Sequence, residues 1–180
     1  MRITFDKQQA VKENIEQAIW SVFENQNYAA SITLIGSASS VLKDLLSDRS
    51  FRKTTSNLFP EIREGKIYKE LDKIWNFCKH VEKKNEKEIS IEVEDTLILI
   101  LLVIMDYRTL YANTTLLMQS YELWFCTKNQ SFFEGFPDEK KVVIVQEFGE
   151  LYKEELLSVQ IEKGWMVIKK HIEKRSLPAG

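Results

Sequence analysis

Residues 93–113 read VEDTLILILLVIMDYRTLYAN, and this stretch decides the fold class. Every side chain between Leu97 and Met105 is apolar, so a helix formed here offers no face to water. In a globular protein, such a helix is surrounded by other helices. The apolar run is about half of the roughly 20 residues needed to cross a bilayer, and Asp95 and Asp106 bracket it. We therefore expect a helix over 93–113 at the centre of a bundle.

The flanking sequence predicts further helices, because apolar residues recur there at helical spacing. Asp6 is the expected N-cap of the first helix, and Pro137 is expected in the first turn of a later one. The tail, 158–172, fits either a helix or a hairpin around Gly164, and its apolar spacing favours the helix. The predicted helices are 6–25, 28–46, 66–84, 93–113, 116–129 and 138–157, followed by the tail. The sequence thus predicts an all-α up-and-down bundle.

Composition agrees with this fold class and limits the function. The 180 residues include only six Gly and three Pro, too few for the many turns of an all-β domain. The net charge of −2 argues against a strongly basic nucleic-acid scaffold, although a local basic patch stays open. Cys78 and Cys126 have apolar neighbours and are interpreted as buried free thiols. No linker is evident, which predicts a single domain over 1–180, with a core at 6–113 and a helical extension at 114–175.

One polar constellation lies on the predicted helix 66–84. Asn76 and His80 are four residues apart and so project from the same face, with Lys79 and Lys83 beside them. An imidazole can transfer protons near neutral pH, an amide can orient a hydroxyl, and lysines can hold a phosphate. These groups suit metal-independent cleavage of RNA by attack of the 2′-hydroxyl. The alternative is a half-buried His80 that hydrogen-bonds a neighbour on an exposed helix face.

Four more residues are candidate binding residues. Arg49 and Arg52 lie in a Ser- and Thr-rich segment, which is either a solvated loop or a basic loop that touches phosphates. Asp106, next to Tyr107 at the edge of the expected core, either orients His80 or makes a structural buried hydrogen bond. We interpret His171, within a basic run near the C-terminus, as part of a solvated helix end.

Two stretches carry a family resemblance. Residues 28–34 (YAASITL) and 41–46 (VLKDLL) resemble the second helix of HEPN domains. Residues 75–80 (WNFCKH) fall where HEPN ribonucleases carry an Arg, a polar residue and, four to six positions after the Arg, a His. They are also similar to a segment Asn-Phe-x-Lys-His that a set of bacterial proteins shares. The resemblance covers about residues 8–112.

The resemblance implies a HEPN-like core of four helices and, in many members, metal-independent ribonuclease activity in toxin–antitoxin or phage-defence systems. His80 would match the catalytic His, and Asn76 the polar residue that follows the Arg. The Arg position itself is Trp75, whose side chain cannot contact a phosphate as a cation. This departure favours a non-catalytic helical protein, which binds a protein partner, a nucleotide or RNA, over an endoribonuclease that uses His80.

The sequence also suggests an oligomeric state and a location for the protein. The chain has four tryptophans, more aromatic surface than we expect one small bundle to bury. We therefore expect a homodimer that covers part of this surface. The four are Trp20, Trp75, Trp124 and Trp165. No cofactor, metal or membrane contact is expected. The N-terminal residues lack the apolar segment of a signal peptide, which predicts a cytoplasmic location.

Overall fold

The computed structural model describes residues 3–49, 73–77 and 88–176. Its regular secondary structure in these ranges is helical, with no strand, so the all-α prediction is confirmed. The chain divides into two compact units, Met1–Thr114 and Thr115–Gly180. The prediction of a single domain stays a prediction, and the two units are described separately.

Unit 1 contains α1 (Lys7–Phe23), α2 (Tyr28–Leu46) and α3 (Val93–Tyr111). Its bounds agree with the predicted helices 6–25, 28–46 and 93–113 to within two residues. The Asp6 carboxylate accepts a hydrogen bond of 2.7 Å from the backbone of Gln9, which confirms the expected N-cap of α1. The Asn27 side chain caps α2 in the same way. Between these two helices the chain turns in four residues, so α1 and α2 form a helical hairpin.

The core of unit 1 lies where α1, α2 and α3 pack on one another. Nine residues of α3 are buried, as the continuous apolar run predicted. Ile15 and Ile19 of α1 and Ile32 and Ile35 of α2 are all 0% exposed. These isoleucines follow the i, i+3 and i+4 spacing of one helix face, so the sequence pattern sets the packing.

The helix with the length and hydropathy to cross a membrane is α2, the one such helix in the described part of the chain. A third of its 18-residue window, 33%, is buried within the protein. Its buried residues include Ile32, Ala38 and Leu42, and they pack against α1 and α3. A core helix of a water-soluble bundle has the same properties, and the cytoplasmic location stays a prediction.

Unit 2 is built from shorter helices. They are α4 (Leu116–Lys128), α5 (Gln130–Glu134), α6 (Asp138–Phe148) and α7 (Leu157–Ser176), with a 3₁₀ turn at Leu151–Lys153. The predicted helix 138–157 is wrong in its second half, because α6 ends at Phe148 and Gly149 follows with a φ of 68°. A glycine in this left-handed region is a common helix stop. Pro137 lies one residue earlier than expected, as the N-cap of α6.

The tail is helical, as the apolar spacing indicated, and the hairpin alternative is excluded. Gly164 lies in the middle of α7 because the Trp124 indole occupies the space that a Cβ would need. The Trp124 Nε1–H donates a hydrogen bond of 2.9 Å to the Gln160 carbonyl, one turn before the glycine. The glycine thus permits a close contact between α4 and α7.

The argument from tryptophans to a homodimer does not hold. Trp124 is 0% exposed and Trp165 is 5% exposed, both inside unit 2. Trp20 and Trp75 of unit 1 are half-buried. The bundle therefore hides more aromatic surface than expected, because glycines let two of these indoles approach helix backbones. The homodimer stays a prediction.

Candidate functional site

The described part of the predicted helix 66–84 is the helical segment 73–77, which contains the start of the polar constellation. Ile74 is 4% exposed and belongs to the core. Trp75 is half-buried against α2, and a Cβ built on Gly36 would lie 2.6 Å from its Cδ1 atom. Real Cβ atoms do not approach other atoms so closely, so Gly36 is the residue that lets the indole lie on α2.

The contact between Trp75 and Gly36 gives a physical account of two sequence features. The sequence of α2 is rich in small residues, and Gly36 is the one among them on which the Trp75 indole lies. Trp75, which the HEPN resemblance would align with the motif Arg, packs on α2. Its indole carries no charge, and the side chain is half-buried.

The predicted catalytic residues are described only in part. Asn76 is half-buried on the segment 73–77 and keeps some contact with solvent. His80, Lys79 and Lys83 lie outside the described residues, and so does Arg52. The structure therefore gives the burial of Asn76 alone among the residues expected to carry chemistry.

Arg49 is described and lies apart from the core. It ends the 3₁₀ turn Ser47–Arg49 that follows α2, and its side chain is exposed. Ser47, the C-cap of α2, has a φ of 52°, which turns the chain away from the helix axis. Arg49 is thus available to a ligand in solution.

Asp106 and Tyr107 are buried in α3, with 5% and 3% of their surface exposed. The Tyr107 ring lies 4.9 Å from the Tyr111 ring, at an interplanar angle of 50°. A buried carboxylate and a buried phenol cannot touch a ligand on the protein surface, so their burial favours the structural alternative for Asp106. Both remain predicted site residues.

Two tyrosines of unit 1 have altered acidity. Burial raises the pKa of Tyr28, at the start of α2. Burial also raises the pKa of Tyr111, and electrostatic interactions with Tyr107 and Asp6 raise it further. An ordinary tyrosine is already protonated at neutral pH, so these shifts do not change the charge of either phenol there.

Cys126 is a free, half-buried thiol on α4. Burial, followed by the charge of Glu122, raises its pKa to about 11. A thiol with such a pKa contains very little thiolate at neutral pH and is a poor nucleophile. This supports the interpretation as a free thiol, while Cys78 lies outside the described residues. No group of three metal-ligating side chains occurs within the described ranges.

The structure corrects the interpretation of His171. Its Nε2 lies 3.2 Å from Glu147 Oε2, and its ring meets the edge of Phe148 at 6.1 Å between centroids. The histidine therefore joins α7 to α6 and is half-buried, unlike a residue of a solvated helix end. The hydrogen bond from His171 is the main cause that lowers the pKa of Glu147. The sequence carried no signal for this pair, because its members are 24 residues apart.

Comparisons of the chain with protein-family models, with curated proteins and with solved structures gave no match. The functional argument therefore depends on the residues and on the geometry described above.

Proposed function

We propose that this chain is a non-catalytic helical protein that binds a protein partner through the surface around Asn76, on a HEPN-like scaffold in unit 1. The observation that carries the proposal is the contact between Trp75 and Gly36. On the HEPN-like alignment, Trp75 takes the place of an Arg that would hold a phosphate. An indole that packs on α2 stabilises the bundle and supplies no positive charge to a reaction.

The exposure of the predicted site residues supports a binding role. Among those described, Asn76 and Arg49 reach solvent, whereas Asp106 and Tyr107 are enclosed in the core. Acid–base chemistry on RNA would need several groups converging on one scissile phosphate. Asn76 and Arg49, the accessible residues among those described, can donate hydrogen bonds, which suits recognition of a surface.

Charge and exposed apolar surface favour a protein over RNA as the partner. The net charge of −2 opposes the approach of a phosphate backbone, whose binding depends on concentrated lysines and arginines. Unit 1 also exposes apolar side chains just before α1, with Ile3 72% and Phe5 63% exposed. Apolar side chains of this kind contribute to contacts with proteins and little to contacts with phosphates. Following the resemblance, the partner would belong to a bacterial defence or stress system.

The competing function is a metal-independent endoribonuclease that uses His80, with Asn76 as an orienting residue. Purified wild-type protein and His80→Ala should be incubated with total bacterial RNA in EDTA. Under our proposal neither protein cleaves RNA. Cleavage by the wild type that is lost in His80→Ala would refute the proposal and establish the ribonuclease. Overexpression gives a parallel readout, since an active ribonuclease slows growth and His80→Ala relieves the effect.

Binding itself is tested with a photo-crosslinking amino acid at Asn76, introduced in the full-length protein in cells. We expect a discrete protein adduct from position 76. The matched control carries the same amino acid at Gln17, an exposed position on α1, and should give no such adduct. Adducts to RNA from position 76, or equal adducts from both positions, would contradict a protein-binding surface around Asn76.

A further inference from the structure

The α6 helix is held to the rest of unit 2 by few side chains. Of its 11 residues, Ile144 and Phe148 are buried. By comparison, α4 has 13 residues and buries eight of them. An element that buries little apolar surface opens locally at a lower cost in free energy than the core around it. We therefore expect α6 to open more readily than α4.

The chain on either side of α6 permits such local opening. Gly135 lies two residues before Pro137, the N-cap of the helix, and Gly149 follows its last residue. Gly149 has a φ of 68°, and a Cβ built on it would meet no atom within 4 Å. Residues at the ends of elements act as hinges when they can absorb a change in φ and ψ, and glycine does so at little steric cost. The α6 helix can thus leave and rejoin unit 2 without unfolding its neighbours.

One polar contact between side chains joins α6 to another helix in the described part of the chain. It is the pair of His171 Nε2 on α7 and Glu147 Oε2 on α6, which are 3.2 Å apart. The His171 ring also lies edge-on to the Phe148 ring, with 6.1 Å between centroids and 89° between planes. A single histidine thus contacts both the charged residue and one of the two buried apolar residues that hold α6 in place.

The charge of the imidazole sets the strength of this contact. A histidine gains a proton between about pH 8 and about pH 5, and a positive charge next to a carboxylate adds Coulombic attraction to the hydrogen bond. The folded arrangement of α6 therefore gains stability as the pH falls through this range, because it then binds the proton more tightly than the open form does. At still lower pH the gain is lost, as the pH falls through the lowered pKa of Glu147.

The other charged groups that act on Glu147 do not titrate in this range. The hydrogen bond from His171 is the main cause that lowers the pKa of Glu147, burial opposes it, and the charges of His171, Lys170 and Lys174 lower it further. All three residues belong to α7, and Lys170 and Lys174 are exposed. Lysines keep their charge well above pH 8, and their repulsion of a protonated imidazole is screened by water and salt. A change in the contact between about pH 8 and pH 5 therefore depends on His171.

We propose that His171 is a pH-dependent latch that holds α6 on α7 through Glu147, so that α6 opens more often as the pH rises, while the rest of unit 2 stays folded. Three observations carry the proposal: the small number of buried residues on α6, the glycines that flank the helix, and the contact of His171 with Glu147 and Phe148. The inference depends on unit 2 alone and is independent of the function proposed for unit 1.

Hydrogen–deuterium exchange of the full-length protein at about pH 5.5 and about pH 8 tests the latch. Rates are corrected for the intrinsic exchange at each pH. We expect the amides of α6 to be about three- to fivefold better protected at the lower pH, the range for a partly exposed ion pair, and those of α4 to be unchanged. Equal protection of α6 at both pH values would overturn the proposal, as would the same change in α4.

Substitutions assign the effect to the pair. His171→Gln retains a side chain that can donate a hydrogen bond to Glu147 but cannot gain a proton, so protection of α6 should no longer depend on pH. Glu147→Gln should abolish the dependence as well, and the double variant should show no further change. His80→Gln is the matched control, because His80 is the other histidine of the chain, and it should keep the dependence. A dependence that persists in His171→Gln, or that disappears in His80→Gln, refutes the latch.

Discussion

In each unit a helix glycine leaves room for a tryptophan indole, Gly36 for Trp75 and Gly164 for Trp124. Alanine normally stabilises a helix interior by about 1 kcal/mol relative to glycine. At Gly36 we predict the opposite sign, a loss of about 1–3 kcal/mol in the free energy of unfolding, because the new methyl group would displace the Trp75 indole. Urea unfolding of Gly36→Ala measures this effect.

A Trp75→Leu background provides the control for Gly36→Ala. With the indole removed, the space above Gly36 opens, and the same substitution should cost less or become stabilising. An equal loss in both backgrounds would show that the contact between Trp75 and Gly36 does not determine the role of this glycine. It would also remove the observation on which the proposed function depends.

A buried hydroxyl gives a second prediction for a single residue. Thr96 of α3 is 0% exposed, and its Oγ1 has no hydrogen-bond partner among the described residues. Replacing an unsatisfied buried hydroxyl with a methyl group of the same shape removes a desolvation cost. Thr96→Val should therefore raise the free energy of unfolding by about 1 kcal/mol, as measured by urea unfolding.

Thr127 of α4 is the matched control, because it is equally buried but its Oγ1 donates a hydrogen bond of 2.6 Å to the Leu123 carbonyl. Thr127→Val should give no gain and a loss of up to about 1.5 kcal/mol. If Thr96→Val destabilises the protein as much as Thr127→Val does, the Thr96 hydroxyl has a partner in solution.

Helix bounds were largely predictable from sequence, and contacts between helices were not. Local signals fixed the start of α1 at Asp6 and the span of α2, because capping and apolar spacing act within a few residues. The stop of α6 at Gly149 was also present in the sequence but was outweighed by the apolar spacing that continues beyond it. From the sequence, Gly36 and Gly164 could be recognised only as residues of low helix propensity. Their role in packing was not visible, because the indoles of Trp75 and Trp124 are 39 and 40 residues away in the chain.

The candidate site was also predictable only in part. The spacing of Asn76 and His80 follows from helix geometry, and Asn76 lies on a helical segment as expected. The burial of Asp106 and Tyr107 depends on how α3 packs against α1 and α2, which a linear pattern does not encode. The pairing of His171 with Glu147 required the path of the chain from α6 to α7, including the break at Gly149.

The junction of α6 with α7 should depend on pH through Glu147. The hydrogen bond from His171 holds the pKa of this carboxyl below its ordinary value. A carboxyl with a lowered folded-state pKa adds stability above its unfolded pKa of about 4.3, and this stability is lost as the pH falls through the folded value. The pair is partly exposed, so its contribution at pH 7 should be within about 1 kcal/mol.

Thermal unfolding of wild type and Glu147→Gln from pH 7 down to pH 3 measures this contribution. The wild type should be more stable at pH 7, and the two proteins should converge below about pH 4. Glu150→Gln is a suitable control, because the pKa of Glu150 is also lowered but its main partner, Lys153, lies within the same turn. A stability difference for Glu147→Gln that persists at pH 3 would show that the carboxylate charge is not its source.

Each unit has its own core and its own pair of tryptophans. Tryptophan fluorescence can therefore show whether the two units unfold separately or together. Trp20 and Trp75 belong to unit 1, and Trp124 and Trp165 belong to unit 2. Because the described side chains of each core pack on helices of the same unit, we expect each unit to unfold as a cooperative structure with its own midpoint. This expectation differs from the single domain that the lack of a linker predicted.

Fluorescence during urea unfolding of two variants, one with Trp20→Phe and Trp75→Phe and one with Trp124→Phe and Trp165→Phe, reports the two units separately. Trp124→Phe loses the hydrogen bond to the Gln160 carbonyl, so the far-UV circular dichroism of each variant must be followed in parallel. Independent units give two steps in the circular dichroism, each coinciding with the fluorescence of the pair that remains. One step shared by all signals would mean that the units fold together.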